Sequence, residues 1–139
     1  MPSERTGPVA GVVLAAGTST RMGENKLFFD LEGESVVRRA VRRTSAAELD
    51  PVIVVLGYES ERVCRDLAGL PCRTVVNPDY SRGINGSLKT GIAALPATTA
   101  AAVVLLADMP FVTTEMIAAL VERYRGTTAP LVISDYAGV

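Results

Sequence analysis

Short, valine-rich runs recur along the chain with helical patterns between them, and this alternation restricts the possible fold more than any other feature. The runs fall at Val9 to Leu14, Val52 to Leu56, Arg73 to Val76, Ala102 to Ala107 and Leu131 to Ser134. They are nearly continuous in apolar character, as strands buried on both faces are. Ser35 to Ala47 sets Val36, Val37, Ala40 and Val41 on one side and Arg38, Arg39, Arg42 and Arg43 on another, which predicts an amphipathic helix with a solvated arginine face. Ser60 to Leu70 carries Val63, Cys64 and Leu67 at helical spacing and stops at Gly69-Leu70-Pro71, which puts Cys64 on the core side. Ser87 is suited to cap a helix running towards Leu95, and Thr113 or Thr114 to cap another ending near Tyr124 to Gly126. The alternation implies an α/β fold, a parallel, doubly wound sheet with helices on both faces. Ligands of such sheets gather outside the carboxyl ends of the strands.

The connection after the first run reads Leu14-Ala15-Ala16-Gly17-Thr18-Ser19-Thr20-Arg21-Met22-Gly23-Glu24-Asn25-Lys26. Small residues let a chain turn so that successive amides point into one concavity, which receives phosphate oxygens. Arg21 offers a planar fork of donors suited to terminal phosphates, and Lys26 a compact charge that can follow a phosphoryl group. Neither a Walker loop nor the dinucleotide fingerprint is present. Taken singly, such a stretch also fits a surface loop with two solvated cations.

Asp108 ends the run before it, and Pro110 biases Met109 toward extended backbone, so the Asp108 carboxylate is expected at the same edge as a Mg²⁺ ligand. On its own it reads equally as a turn residue. Asp135 is a weaker metal candidate. The segment Asn77 to Lys89 follows the third run and offers amide and hydroxyl groups able to read a base edge or hold a sugar. A turn plus a helix cap explains each of its residues singly.

Composition narrows the chemistry further. The 139 residues fit one domain, 1–139, and 48% hydrophobic content supplies a sizeable core. A net charge of -1 provides no general field for nucleic acid or an anionic membrane. The chain opens without a signal pattern and contains no spanning apolar run, so a cytoplasmic protein with no membrane role is expected. Cys64 and Cys72 are too few for a zinc site or a disulfide framework and are expected to be reduced core thiols. With no histidine, Ser-His and Cys-His nucleophiles are excluded, leaving carboxylates, cations and bound metal.

The Leu14-Ala15-Ala16-Gly17 string, the small-residue loop, Arg21-Met22-Gly23 and Lys26 together resemble the signature of the MobA-like nucleotidyltransferases, a glycosyltransferase-A-like family. The likeness extends through the helix after Gly33, the strand Pro51 to Gly57, the Asn77-Pro78-Asp79-Tyr80 to Gly86-Ser87-Leu88 segment and the Asp108-Met109-Pro110 turn. It implies a three-layer α/β/α Rossmann-like fold with a mostly parallel sheet. Ala16 resembles the molybdenum cofactor cytidylyltransferase branch, where the guanylyltransferase branch has glycine, and so implies CTP.

The implied reaction is attack of an acceptor phosphate, that of molybdopterin, on the α-phosphorus of CTP, with release of pyrophosphate. By the same resemblance Leu14, Ala15, Ala16 and Gly17 cradle the nucleotide, Lys26 stabilises the α-phosphate and Arg21 the pyrophosphate. Asp108 holds Mg²⁺, and Asn77, Gly83 and Ser87 contact the nucleotide. A molybdoenzyme or its maturation factor is the implied recipient. The family continues beyond the position of Val139, so a C-terminally truncated, nucleotide-binding portion is expected. Another cytidylyl- or sugar-phosphate nucleotidyltransferase, a non-catalytic nucleotide-binding module and a dinucleotide oxidoreductase are the rival readings.

Overall fold

The computed structural model describes residues 6–17, 20–21, 24–109 and 111–127, with backbone alone at 20, 21 and 24. Strand β1 (Val9–Ala15) is buried along its whole length. It leads into two small antiparallel ribbons, β2 (Thr20–Arg21) with β3 (Glu24–Asn25) and β4 (Asp30–Leu31) with β5 (Glu34–Ser35). Between the ribbons lies a 3-10 turn, Lys26–Phe28. Then follow α1 (Val36–Ser45), β6 (Val52–Leu56), α2 (Ser60–Asp66), β7 (Arg73–Val76), a second 3-10 turn at Tyr80–Arg82, α3 (Ile84–Ala93), β8 (Ala101–Leu106) and α4 (Thr114–Arg125). The expected strand Leu131 to Ser134 and Asp135 lie outside the described residues.

Four of these strands form one parallel sheet in the order β7-β6-β1-β8, in the α/β arrangement expected. The two-residue period of a strand separates its faces. Val9, Val13 and Ala15 join Val52, Val54 and Leu56 beneath Val37 and Val41 of α1, Val63 of α2 and Ile117 of α4. Val12, Leu14, Ile53 and Val55 form the opposite core, on the side of α3. Each such side chain contributes about 1.5–3 kcal/mol on burial, which is why these runs settle as central strands.

Helix α3 lies very close to the sheet at Gly91, where an added Cβ would stand 2.6 Å from Val12 Cγ1 and 2.9 Å from Val55 Cγ2. Alanine is the better helix former, yet overpacking outweighs that gain. Gly91→Ala is therefore expected to destabilise the fold by about 1–3 kcal/mol. Urea denaturation checks this; an unchanged or raised midpoint would show that α3 can lift from the sheet without loss.

The arginine face of α1 is not simply solvated, contrary to the sequence expectation. Arg38 Nη1 donates to the carbonyls of Asp66 at 2.7 Å and Ala68 at 3.0 Å, satisfying acceptors left open where α2 ends. Arg39 donates to the Leu31 carbonyl at 2.9 Å, and Arg43 to that of Val112 at 3.1 Å. Arg42 forks onto both carboxylate oxygens of Glu34, at 2.7 and 2.9 Å. That hydrogen bond is the main cause holding the Glu34 carboxyl below its usual range, against a smaller opposing effect of burial. Their partners lie outside α1, in the adjoining β4–β5 ribbon for Arg39 and Arg42 and in distant segments for Arg38 and Arg43, so amphipathic spacing alone could not reveal them. Ser35 caps α1 by accepting from Arg38 N at 3.1 Å and also bonds to Asp66.

Two further expectations are corrected. Cys64 is exposed, whereas Val63 and Leu67 are buried; its Sγ lies 3.9 Å from Thr74 Oγ1 rather than in the core. Helix α2 and its C-cap bury Val63 and Leu67, one turn apart, and the rotation of about 100° per residue carries Cys64 off that narrow face. Cys72 is half-buried, and burial first, then the nearby Cys64, pushes its thiol up. Helix α3 begins four residues earlier than expected, at Ile84, with Gly83 rather than Ser87 in the cap position, at φ 115°. Ser87 is thus inside the helix and buried, not its cap. Thr113 does cap α4, accepting from Met116 N at 3.1 Å.

Candidate functional site

The strand order contains one reversal. From β1 the chain moves outward to β6 and β7, then returns to place β8 on the other side of β1. Connections leaving the carboxyl ends at such a reversal diverge to opposite faces and open a crevice. Here they are residues 16–17 after β1 and 107–109 after β8. Leu14 stands opposite Leu106, and Ala107 N donates to Leu14 O at 3.0 Å. This register carries Asp108 alongside Ala16.

A cavity of about 270 Å³ occupies the crevice. Its walls include Leu14 and Ala15 at the end of β1, Ala16 and Gly17 just after it, Gly83 and Ser87 around the start of α3, and Asp108. These sequence candidates therefore converge, with Asp108 exposed at the mouth and Ala16 almost wholly buried. Asn77 stands one layer back. Its Nδ2 donates to Ser87 Oγ at 3.0 Å and its Oδ1 accepts from Asp79 N at 3.0 Å, so it fixes the turn that presents Ser87. Lys26 is half-buried at the head of the turn Lys26–Phe28, and its neighbour Leu27 rather than Lys26 itself forms cavity wall. The Arg21 backbone belongs to β2; its side chain, like Thr18, Ser19, Met22 and Gly23, lies outside the described residues.

Leu27, Tyr80, Ser81, Ile84 and Leu106 also line the cavity; Ile84 falls in the Gly83 to Ser87 segment to which the resemblance gave a nucleotide role, Tyr80 and Ser81 in the wider 77–89 segment, and Leu27 and Leu106 in neither. Tyr80 carried a usable signal in lying between two assigned residues, Asn77 and Gly83; the structure adds that it faces Gly57, just after β6. A Cβ at Gly57 would fall 2.4 Å from Tyr80 Cβ and 2.9 Å from Ala16 O, so only glycine lets the tyrosine and the first loop approach together. The Tyr58 and Tyr80 rings lie 6.3 Å apart, tilted by 50°. Apolar walls with a few converging polar groups suit a small molecule having an aromatic or sugar part and a charged end.

Among the described residues there is no group of three or more His, Cys, Asp or Glu able to encage a metal. Among the described residues that line the cavity, the donor set instead offers the Asp108 carboxylate beside the backbone of Ala16 and Gly17. This fits Mg²⁺, an oxygen-seeking ion that takes its other ligands from substrate phosphates and water. No helix among the described residues is long and apolar enough to cross a membrane.

Known proteins share this architecture. The chain is 34% identical over 118 residues to a probable molybdenum cofactor guanylyltransferase of Natronomonas pharaonis, covering 84% of this chain and 57% of that protein. It is 32% identical, over the same shares, to nicotine blue oxidoreductase of Paenarthrobacter nicotinovorans. A solved nucleotidyl transferase from Methanothermobacter thermautotroptrophicus superposes with a TM-score of 0.76 at 26% identity, covering 83% of this chain and 57% of that one. The chain thus spans little more than half the length of these relatives. The family model described as MobA-like NTP transferase domain matches residues 11–139, and the chain belongs to that family.

Proposed function

We propose that the chain forms the donor-nucleotide part of a nucleotidyltransferase that moves CMP from CTP to the phosphate of molybdopterin and releases pyrophosphate. The observation that carries this reading is the convergence of Ala16 and Gly17, of Gly83, Ile84 and Ser87, and of Asp108 on one cavity at the sheet's reversal, in a member of an NTP transferase family. Amides of Ala16 and Gly17 donate to phosphate oxygens. Lys26 balances charge on the α-phosphate and Arg21 on the departing pyrophosphate. Ser87 Oγ accepts from Asn77, leaving its O–H to donate to the base or sugar. The acceptor phosphate is already ionised, so positioning and charge suffice without a general base, in keeping with a chain that has no histidine. Asp108 is the residue that would hold Mg²⁺, and the bound ion supplies neutralisation of the triphosphate. The product passes to a molybdoenzyme or its maturation factor, and the use of CTP supports a cytoplasmic setting.

Ala16 supports CTP over GTP, because its buried methyl narrows the cavity beside the base. The likeness to a guanylyltransferase makes GTP the competitor to test. Pyrophosphate release with molybdopterin and Mg²⁺ is expected to be fastest with CTP among CTP, GTP and ATP. Ala16→Gly is expected to shift the CTP/GTP ratio of kcat/KM toward GTP by about tenfold, the scale of one methyl group in a pocket. A wild-type preference for GTP would move the assignment to guanylyl transfer. The likeness to nicotine blue oxidoreductase favours a second reading, oxidoreduction; binding of NADH or NADPH with no response to CTP or GTP would select it.

A further inference from the structure

We infer that Glu59, at the far end of a two-point clamp, is a positioning residue for Lys26; the inference rests on the role given to Lys26 above. The turn Lys26–Phe28 is held at both ends from the segment that starts α2. At its head, buried Asn25 accepts from Leu27 N through Oδ1 at 3.0 Å and donates through Nδ2 to Glu59 Oε1 at 3.4 Å. At its tail, the Arg62 guanidinium lies 3.7 Å from the centre of the Phe28 ring. Arg62 Nη1 also pairs with Glu59 Oε2 at 3.3 Å, which joins the two grips into one unit.

The chemistry of these groups gives the clamp a direction. An ionised carboxylate only accepts, so it draws the NH₂ side of the Asn25 amide toward itself and turns the carbonyl side to Leu27 N. Without that partner the amide can flip, and the turn carrying Lys26 loses its cap. The backbone points the same way. Glu59 sits at φ 54°, ψ 40°, a left-handed conformation that glycine adopts without strain and a glutamate does not. Glu32 and Glu48 share this backbone, but Glu59 is the one whose side chain reaches the Lys26 turn.

The backbone strain separates a positioning role from a structural one. Glu59→Gly removes the carboxylate while relieving the strain, so its melting temperature is expected to equal or exceed that of the wild type. Hydrogen exchange at Leu27 N is nonetheless expected to accelerate about tenfold, as a protecting hydrogen bond is weakened. The acylation rate of Lys26 under limiting acetic anhydride should change too, measured against Lys89, the only other lysine. In the transfer assay kcat is expected to fall about tenfold with KM for CTP nearly unchanged, because misplacement of a charge acts on the transition state. Glu59→Gln keeps an acceptor oxygen but adds a donor and loses the charge that pairs with Arg62, so it is expected to recover these readouts in part, between Glu59→Gly and wild type. Unchanged Leu27 exchange and kcat in Glu59→Gly would overturn the inference, as would a Glu59→Gln variant as impaired as Glu59→Gly. If the glycine variant fails to fold, Glu59→Asn supplies the same comparison, since asparagine tolerates left-handed backbone and is too short to reach Asn25. A wild type that releases no pyrophosphate from CTP or GTP refutes the transfer reading; Leu27 exchange and Lys26 acylation then still decide the positioning.

Discussion

Asp108→Ala is expected to lower the rate of pyrophosphate release by about 10²–10³-fold, the effect of removing one group that stabilises charge at the reacting phosphates. The carboxylate is exposed in the turn after β8 and makes no hydrogen bond or ion pair among the described residues. Its removal should therefore change stability by no more than about 0.5 kcal/mol. The combination is diagnostic, since a residue that serves the fold would lose stability and activity together. Rates measured over a Mg²⁺ series add a second readout, with the variant requiring more Mg²⁺ than the wild type for its residual activity. Undiminished release at ordinary Mg²⁺ would remove Asp108 from the site.

Lys26→Ala is expected to be comparably severe, with kcat reduced about 10²-fold or more. A cation that meets the α-phosphate most strongly as its charge redistributes acts on the transition state, so kcat should fall further than KM rises. Lys26→Arg is expected to recover only part of the loss, because a planar fork replaces a compact ammonium whose place is set by a short turn. Asn25 still caps that turn and Leu27 still fills the cavity wall in both variants, so the fold should survive. Equal kcat in Lys26→Ala and wild type would sink the assignment.

The main strands were legible from their apolar runs, which burial on both faces explains in β1 and β6 only. At the ends of the described sheet β7 is largely exposed and β8 only partly buried, contrary to the sequence expectation, yet all four fall within a residue of the runs read from sequence. Ala16 and Asp108 were legible for the same reason, as each lies just beyond the end of such a run. The ribbons β2–β3 and β4–β5 were not, since strands of two residues are too short to show a period. Long-range partners were also hidden. The carbonyls that receive Arg38, Arg39 and Arg43 come from other elements, and the clamp from Glu59 to Asn25 joins residues 34 positions apart. Ser87 misled because a hydroxyl near a helix start usually caps it, whereas Asn77 here gives that hydroxyl a buried partner.

The parallel pairing of β1 with β8 has a consequence for how the molecule comes into being. Residues 11–15 of β1 find one neighbour in 52–56, but residues 9–14 must wait for 101–106 to obtain the other. Contacts so distant in sequence are slow to form, and a chain emerging from the ribosome presents its earlier segments first. The β7-β6-β1 part of the sheet can therefore associate while β8 is still being synthesised. Asp108 arrives only with β8, so the nascent chain has a partial core well before the cavity at the sheet's reversal is complete.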